Sequence, residues 1–312
     1  MNKYFILTSW AAKILAVILL IEIGFTVGLF YYFSTFNYQF VDHRFQKPDT
    51  NKTKDIISKS YLEDVFAKTI WPPKLVGAKI SGIIVNHHLL ADKLIARGLS
   101  LDATDSAITI VLLSPNHFGR GYGPITVAAK DWLTPVGYLA ADRNLISALA
   151  GTKTVIIDDR PFELEHGITN ILPFIKKLYP RARIVPIIIN EGLSDQHGDE
   201  LVKSLLSFLP QNSLIVASLD FSHYRTSELA DFFDRQTQNI IDNNDFKKVA
   251  SLNKNNQPDN VDSAPTLRIM LELMSRYGSK FFTLDHTNAD KLTGNLASRD
   301  NTSYIVGAFY QK

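Results

Sequence analysis

The 312 residues include no cysteine. Disulfides, thiolate-held zinc, iron–sulfur clusters and thiol nucleophiles are therefore excluded, and any metal must be held by His, Asp, Glu or backbone oxygen. The absence leaves the redox compartment open, because a cysteine-free chain tolerates either side of a membrane. Charge of one sign is also scarce: 33 Lys and Arg against 31 Asp and Glu leave a formal net charge of +2. No long Lys/Arg run with interleaved aromatics occurs, so the basic stripe of a nucleic-acid binder is missing. Neither a Gly-rich phosphate loop nor a G-x-S-x-G elbow is present. What remains, 46% hydrophobic and 21% charged residues, is the composition of a globular chain with a sizeable core.

One long apolar run stands near the start. Residues 14–33 read ILAVILLIEIGFTVGLFYYF, interrupted by Glu22 and Thr26, and a hydrocarbon core needs about 20 such residues. Trp10 on one side and Tyr31 and Tyr32 on the other resemble interfacial anchors. A cleaved signal peptide would have a shorter apolar core and a small-x-small site. The run therefore predicts an uncleaved membrane anchor over 1–36, followed by a polar linker or stalk over 37–74 with one helix around 61–70. Lys3 and Lys13 before the run are balanced by Arg44 and Lys47 after it, so positive charge gives little orientation. A short N-terminal tail that stays inside places the large domain outside the cytoplasm. The expected location is thus a single-pass membrane protein.

Residues 75–312 alternate. Apolar runs rich in Val and Ile at 79–86, 107–114, 154–157, 183–190 and 214–218 predict buried strands. Helical stretches are expected at 89–99, 141–149, 164–178, 195–209, 226–243 and 262–278, with closing strands at 280–284 and 303–310. Such alternation predicts one α/β domain with a largely parallel or mixed sheet flanked by helices.

Ligands bind such sheets beyond the carboxyl ends of the strands, and polar residues gather there. The first strand runs into Asn86-His87-His88, the second into Ser114-Pro115-Asn116-His117, and the fifth into Asp220-Phe221-Ser222-His223-Tyr224. Glu165-His166 opens a helix. Each alone reads more readily as a surface or hydrogen-bonded histidine, or as a helix cap, than as a ligand. Together they supply the neutral imidazoles and carboxylates that a metal or acid–base site needs. His43 and His197 lack such company and read as surface residues.

The segments GIIVNHH, LLSPNHFG, TPVG (134–137), FELEHGITNILPFI (162–175), RIVPIII and VASLDFSHY resemble, in order and spacing, those of the Memo-like proteins, called AmmeMemoRadiSam system protein B in bacteria and archaea. The resemblance covers about residues 79–312. It implies a fold similar to class III extradiol dioxygenases, which hold non-haem Fe(II) with two histidines and a carboxylate and use a further histidine as acid–base. It further implies metal ligands at His87 and His117, pocket residues Asp220 and His223 that can also bind metal, and acid–base roles for His223 and His166. The family's remaining ligand, a cysteine, falls near Asp262 in VDSAPTLRIML. Asp262 would complete a two-His, one-carboxylate triad or would cap the helix that follows. His88 and Leu89 stand where the family tends to have Ala-Gly, and Thr169 where a glutamate is usual.

The resemblance thus implies a transition-metal cofactor, with iron expected and copper or zinc as alternatives. It points to a metal-dependent redox enzyme acting on a small-molecule or peptide ligand. A non-enzymatic metal- or partner-binding module on the same fold is the competing reading, and metal-assisted hydrolysis is a third.

Overall fold

The Val- and Ile-rich runs become strands because both of their faces are buried. In β2 (Thr109–Pro115), Ile110 and Leu112 enter one hydrophobic core while Val111 and Leu113 enter the other. In β7 (Arg183–Ile189), Ile184 and Ile188 divide in the same way from Val185, Ile187 and Ile189. A sheet covered on both sides reads as continuous apolar sequence, as these runs do. The computed structural model describes residues 57–73, 75, 77–252, 260–295 and 301–311, all within the unit Arg44–Lys312.

The remaining strands are β1 (Lys79–Val85), β3 (Ile125–Val127), β4 (Trp132–Thr134), β5 (Gly137–Ala141), β6 (Val155–Ile157), β8 (Ser213–Ser218), β9 (His223–Arg225), β10 (Lys280–Asn288) and β11 (Asn301–Gln311). They form an 11-stranded sheet whose main path is β10-β11-β1-β8-β2-β7-β3-β6. β1, β8, β2 and β7 run parallel at its centre. β11 joins β1 antiparallel, β3 joins β7 antiparallel, and β10 closes the far edge antiparallel to β11. The sheet is therefore mixed, with a parallel middle.

Pro186 lies inside β7, where a central strand ordinarily excludes proline. The outer side of β7 explains it. β5 pairs with residues 183–184 and β3 with 187–189, which leaves Pro186 at the gap between them. Its carbonyl accepts the Ala128 N–H at 3.2 Å on that side, so the missing donor faces the gap and no ladder bond is lost.

Helices cover both faces. On one side lie α1 (Lys59–Lys68), α2 (Asp92–Ser100), α4 (His166–Thr169) and α5 (Leu172–Leu178), which bury Leu62, Ile95, Ile168 and Phe174 against the sheet. On the other lie α3 (Arg143–Ala150), α6 (Asp195–Phe208), α7 (Ser227–Asp242) and α8 (Ala264–Arg276), through Leu145, Leu201, Ile241 and Leu267. A short α9 (Ala289–Thr293) precedes β11. Ser58 caps α1 by accepting the Tyr61 N–H, and the Tyr61 hydroxyl donates to Asp92 at 2.6 Å, tying α1 to α2.

The expected single-pass membrane location is corrected here. Among the described residues no helix is long and apolar enough to cross a membrane. The run at 14–33 on which that expectation rested lies outside them.

Candidate metal centre

β8 lies between β1 and β2, so the polar residues that follow these three strands meet at one end of the sheet. His87 comes two residues after β1, His117 two after β2, and Asp220 two after β8. His87 is 2% exposed and Asp220 4%. From the neighbouring loop, α4 brings His166 over them. Ring centroids stand 4.9 Å apart for His87 and His117, 5.1 Å for His87 and His166, and 4.0 Å for His117 and His166. Each of the three offers a ring nitrogen within 4.8 Å of the others.

The rings are held from behind. His87 Nδ1 lies 3.1 Å from the Ser218 hydroxyl, which leaves Nε2 facing the cluster. His117 Nδ1 lies 2.6 Å from Glu165 Oε1, and Glu165 Oε2 accepts the His117 backbone N–H at 3.0 Å. Glu165 is itself fully buried and caps α4 by accepting the Gly167 N–H at 3.1 Å. A carboxylate behind a histidine fixes the tautomer and raises the basicity of the other nitrogen, the usual support of a ligating imidazole.

Asp262 closes the group. One carboxylate oxygen, Oδ2, accepts the Asp220 N–H at 3.0 Å and lies 3.3 Å from His87 Nε2 and 3.6 Å from His117 Nε2. Its other oxygen is buried with no hydrogen-bond partner. The Asp262 N–H donates back to the Asp220 carbonyl at 3.0 Å, and a bridge between Phe221 and Val261 locks the two segments together. The cap of α8 is Ser263, whose hydroxyl accepts the Thr266 N–H. Asp262 is thus free of the capping role open to it on sequence.

These residues fit a metal ion. Ligands about 2.1 Å from a shared ion lie about 3–3.5 Å from one another, close to the spacing of Asp262 Oδ2 from the two Nε2 atoms. The unpartnered Asp262 oxygen is a buried polar atom that an ion would satisfy. Nitrogen and carboxylate donors without sulfur suit iron, zinc or copper in their divalent states.

Electrostatics sharpen the picture. Burial lowers the pKa of His87 to about 3, so its imidazole stays neutral with a lone pair available. Burial and the charge on His117 lower that of His166. Burial also pulls on His117, but hydrogen bonds to Asp262 and Glu165 outweigh it and raise its pKa to about 10. Burial would raise the Glu165 carboxyl, yet the His117 contact brings it below the ordinary value. Without metal, therefore, His117 carries the proton that the surrounding carboxylates attract. Burial pushes the Asp220 carboxyl up, opposed first by His223.

His223 opens β9, half-buried, with Nδ1 buried and unpartnered. It faces Asp220 and stands outside the group of converging nitrogens. Tyr224 beside it adopts φ 55, a left-handed conformation that is uncommon for a bulky residue. His88 turns away from the cluster, its Nδ1 2.8 Å from the Tyr304 hydroxyl. Sequence reasoning paired Glu165 with His166 without foreseeing its grip on His117, and it missed Ser218. The carboxylate next to a histidine and the serine ending an apolar run were the available signals.

A second group, Asp231, Asp234 and His286, also offers ligand atoms within 4.8 Å of one another. Its carboxylates are engaged. Lys291 Nζ holds both oxygens of Asp231 at 2.8 and 2.7 Å, while Asp234 accepts from Ser222 Oγ at 2.6 Å and lies 2.8 Å from His286 Nε2. This group clamps α7 to β10 and to the loop before β9.

The family model described as Memo-like protein matches residues 57–305. A MEMO1 family protein of Methanosarcina barkeri is 35% identical over 140 residues, 43% of this chain and 50% of that one. Another, from Methanosarcina acetivorans, is 30% identical over 199 residues, 62% of this chain and 72% of the relative. The chain thus spans half the length of the first relative and nearly three quarters of the second. Among solved structures, an uncharacterised protein from Escherichia coli K12 shares 12% identity with a TM-score of 0.49, covering 73% of this chain and 99% of that one.

Proposed function

The chain belongs to the Memo-like family, and from that premise we propose that it holds one transition-metal ion, iron first among the candidates, and uses it in redox chemistry. The observation that carries this reading is the aim of two imidazoles. His87 and His117 direct Nε2 at the same oxygen of Asp262, at 3.3 and 3.6 Å, while Ser218 and Glu165 occupy their far nitrogens.

In this reading His87, His117 and Asp262 are the principal ligands, and His166 is placed to join them. The ion would supply a Lewis acid with open positions and, as iron, a one-electron couple. The chain supplies the rest. Glu165 and Ser218 orient the ligating rings, and Asp220 fixes the backbone of His87 by accepting its N–H at 3.1 Å. His223, beside Asp220 and half open to solvent, is placed to take or return a proton at the pocket wall. The exposed ring of Phe118, 6.0 Å from that of His166, forms part of the mouth.

The test uses the full chain purified without oxygen, loaded with Fe(II), freed of excess ion and analysed for bound metal. About one ion per chain is expected, with most of it lost in His117→Ala. Absence of metal in the parent chain, or equal content in the variant, would overturn the reading. Turnover is a separate question, checked by oxygen uptake on the loaded chain.

A further inference from the structure

The sheet has a second end. Where β2 and β7 begin, opposite the histidines, lies a cavity of about 430 Å³, within the range of about 300–1,000 Å³ that small-ligand pockets occupy. Its walls differ in kind. Leu145 and Ala148 of α3, Phe208 at the end of α6, and Pro210 supply apolar lining. Arg181 and Arg183 also line the cavity, Arg183 with its backbone fixed by pairing with Thr109 and Ala140.

Neither guanidinium forms a hydrogen bond or ion pair with another described residue. The lining's carboxylate, Asp142, is already committed: it accepts the Thr109 hydroxyl at 2.6 Å and the Leu145 N–H at 3.2 Å. Asn212 donates its amide to the Ala107 carbonyl at 2.7 Å, which fixes the lip of the cavity. Two guanidinium side chains therefore line the cavity against one engaged carboxylate. A guanidinium pair matches carboxylate or phosphate oxygens, and the apolar part of the lining gives a ligand's carbon body somewhere to bury.

We propose that this cavity is a ligand site separate from the metal centre, for a small organic anion: a carboxylate or phosphate monoester joined to an apolar body. The pair of arginines sets the charge, and the wall of Leu145, Ala148, Phe208 and Pro210 selects against a bare inorganic ion.

The test titrates the full chain with 4-phenylbutyrate, phenyl phosphate, inorganic phosphate and neutral 4-phenylbutanol, followed by backbone amide NMR. Saturable shifts at Asn144, Arg183 and Asn212 are expected with either organic anion, while the amide of His117 stays still. Arg181→Gln and the double variant R181Q/R183Q should weaken both anions, the double by about tenfold or more. Both substitutions lie at exposed positions, and unchanged amide spectra elsewhere would show that the fold is intact. The proposal fails if neither organic anion saturates, if the neutral alcohol binds as tightly, or if inorganic phosphate binds equally well.

Discussion

At the scale of single residues, the site turns on carboxylates whose partners are histidines. Glu165 is buried and ionised because His117 and two backbone N–H groups share its charge. Glu165→Gln keeps the shape and removes the charge that fixes the His117 tautomer. Metal affinity should fall about 10–100-fold, as for the loss of other partners behind a ligating histidine, and the metal-free chain should lose stability as well, because an amide nitrogen cannot accept the N–H bonds that the carboxylate accepts. Competition against a coloured chelator would read this, and unchanged affinity would refute the orienting role. The sequence made His87, His117, Asp220 and His223 visible because each follows an apolar strand. It could not show which way a side chain turns. His87 and His88 are neighbours, yet one enters the cluster and the other reaches Tyr304. Asp262 was equally legible as ligand or cap, and only the three-dimensional position of Ser263 shows that the cap lies elsewhere.

Among the elements, α4 is the smallest and matters most to the site. Its four residues begin at His166, and Gly167 lies so close to β2 that an added Cβ would sit 2.2 Å from the Ser114 hydroxyl. Gly167→Ala must therefore displace the Ser114 hydroxyl or push α4, with Glu165 and His166, off the sheet. A loss of about 1–3 kcal/mol is expected from overpacking, measured by urea denaturation, together with weaker metal binding. Adding Ser114→Ala removes the clashing oxygen and should restore part of both; a double variant no better than the single would refute the steric account. Periodicity placed one helix at 164–178, where the chain in fact makes α4, a break and α5. The break at 170–171 is where Asn170 turns inward to donate to the His87 carbonyl at 3.0 Å, a tertiary contact that no local pattern records. β3, β4, β6 and β9 are three residues each, too short for an alternating pattern to declare itself; the run at 154–157 stood out because the residues of β6 are all β-branched.

Across the whole molecule, the proposed metal and a proton would compete for the same nitrogen. His117 has its pKa raised from 6.5 to about 10, so in the metal-free chain its proton contributes stability that is complete below about 6.5 and lost as pH rises through about 10. An incoming ion must displace that proton. Metal affinity should consequently rise with pH between 6 and 9 by up to about tenfold per unit, with about one proton released per ion bound. Calorimetry in two buffers of different ionisation enthalpy would count it, and no proton release would contradict the assigned state of His117. Free metal at about 100 times its dissociation constant should add about 2.7 kcal/mol to folding stability, seen as a rise of about 2–6 °C in the melting temperature.

The insertion of β8 between β1 and β2 also orders events in time. A ribosome delivers His87, His117 and His166 long before it delivers residues 213–262, and until β8 slides into the gap the first two histidine-bearing strands have no common neighbour to hold them side by side. A nascent chain thus carries most of its donors for many seconds without a closed cage around any ion. Uptake of the proposed ion would then be a late step of biogenesis, and a chain stalled before Asp262 would expose loose histidines to whatever cation is most abundant.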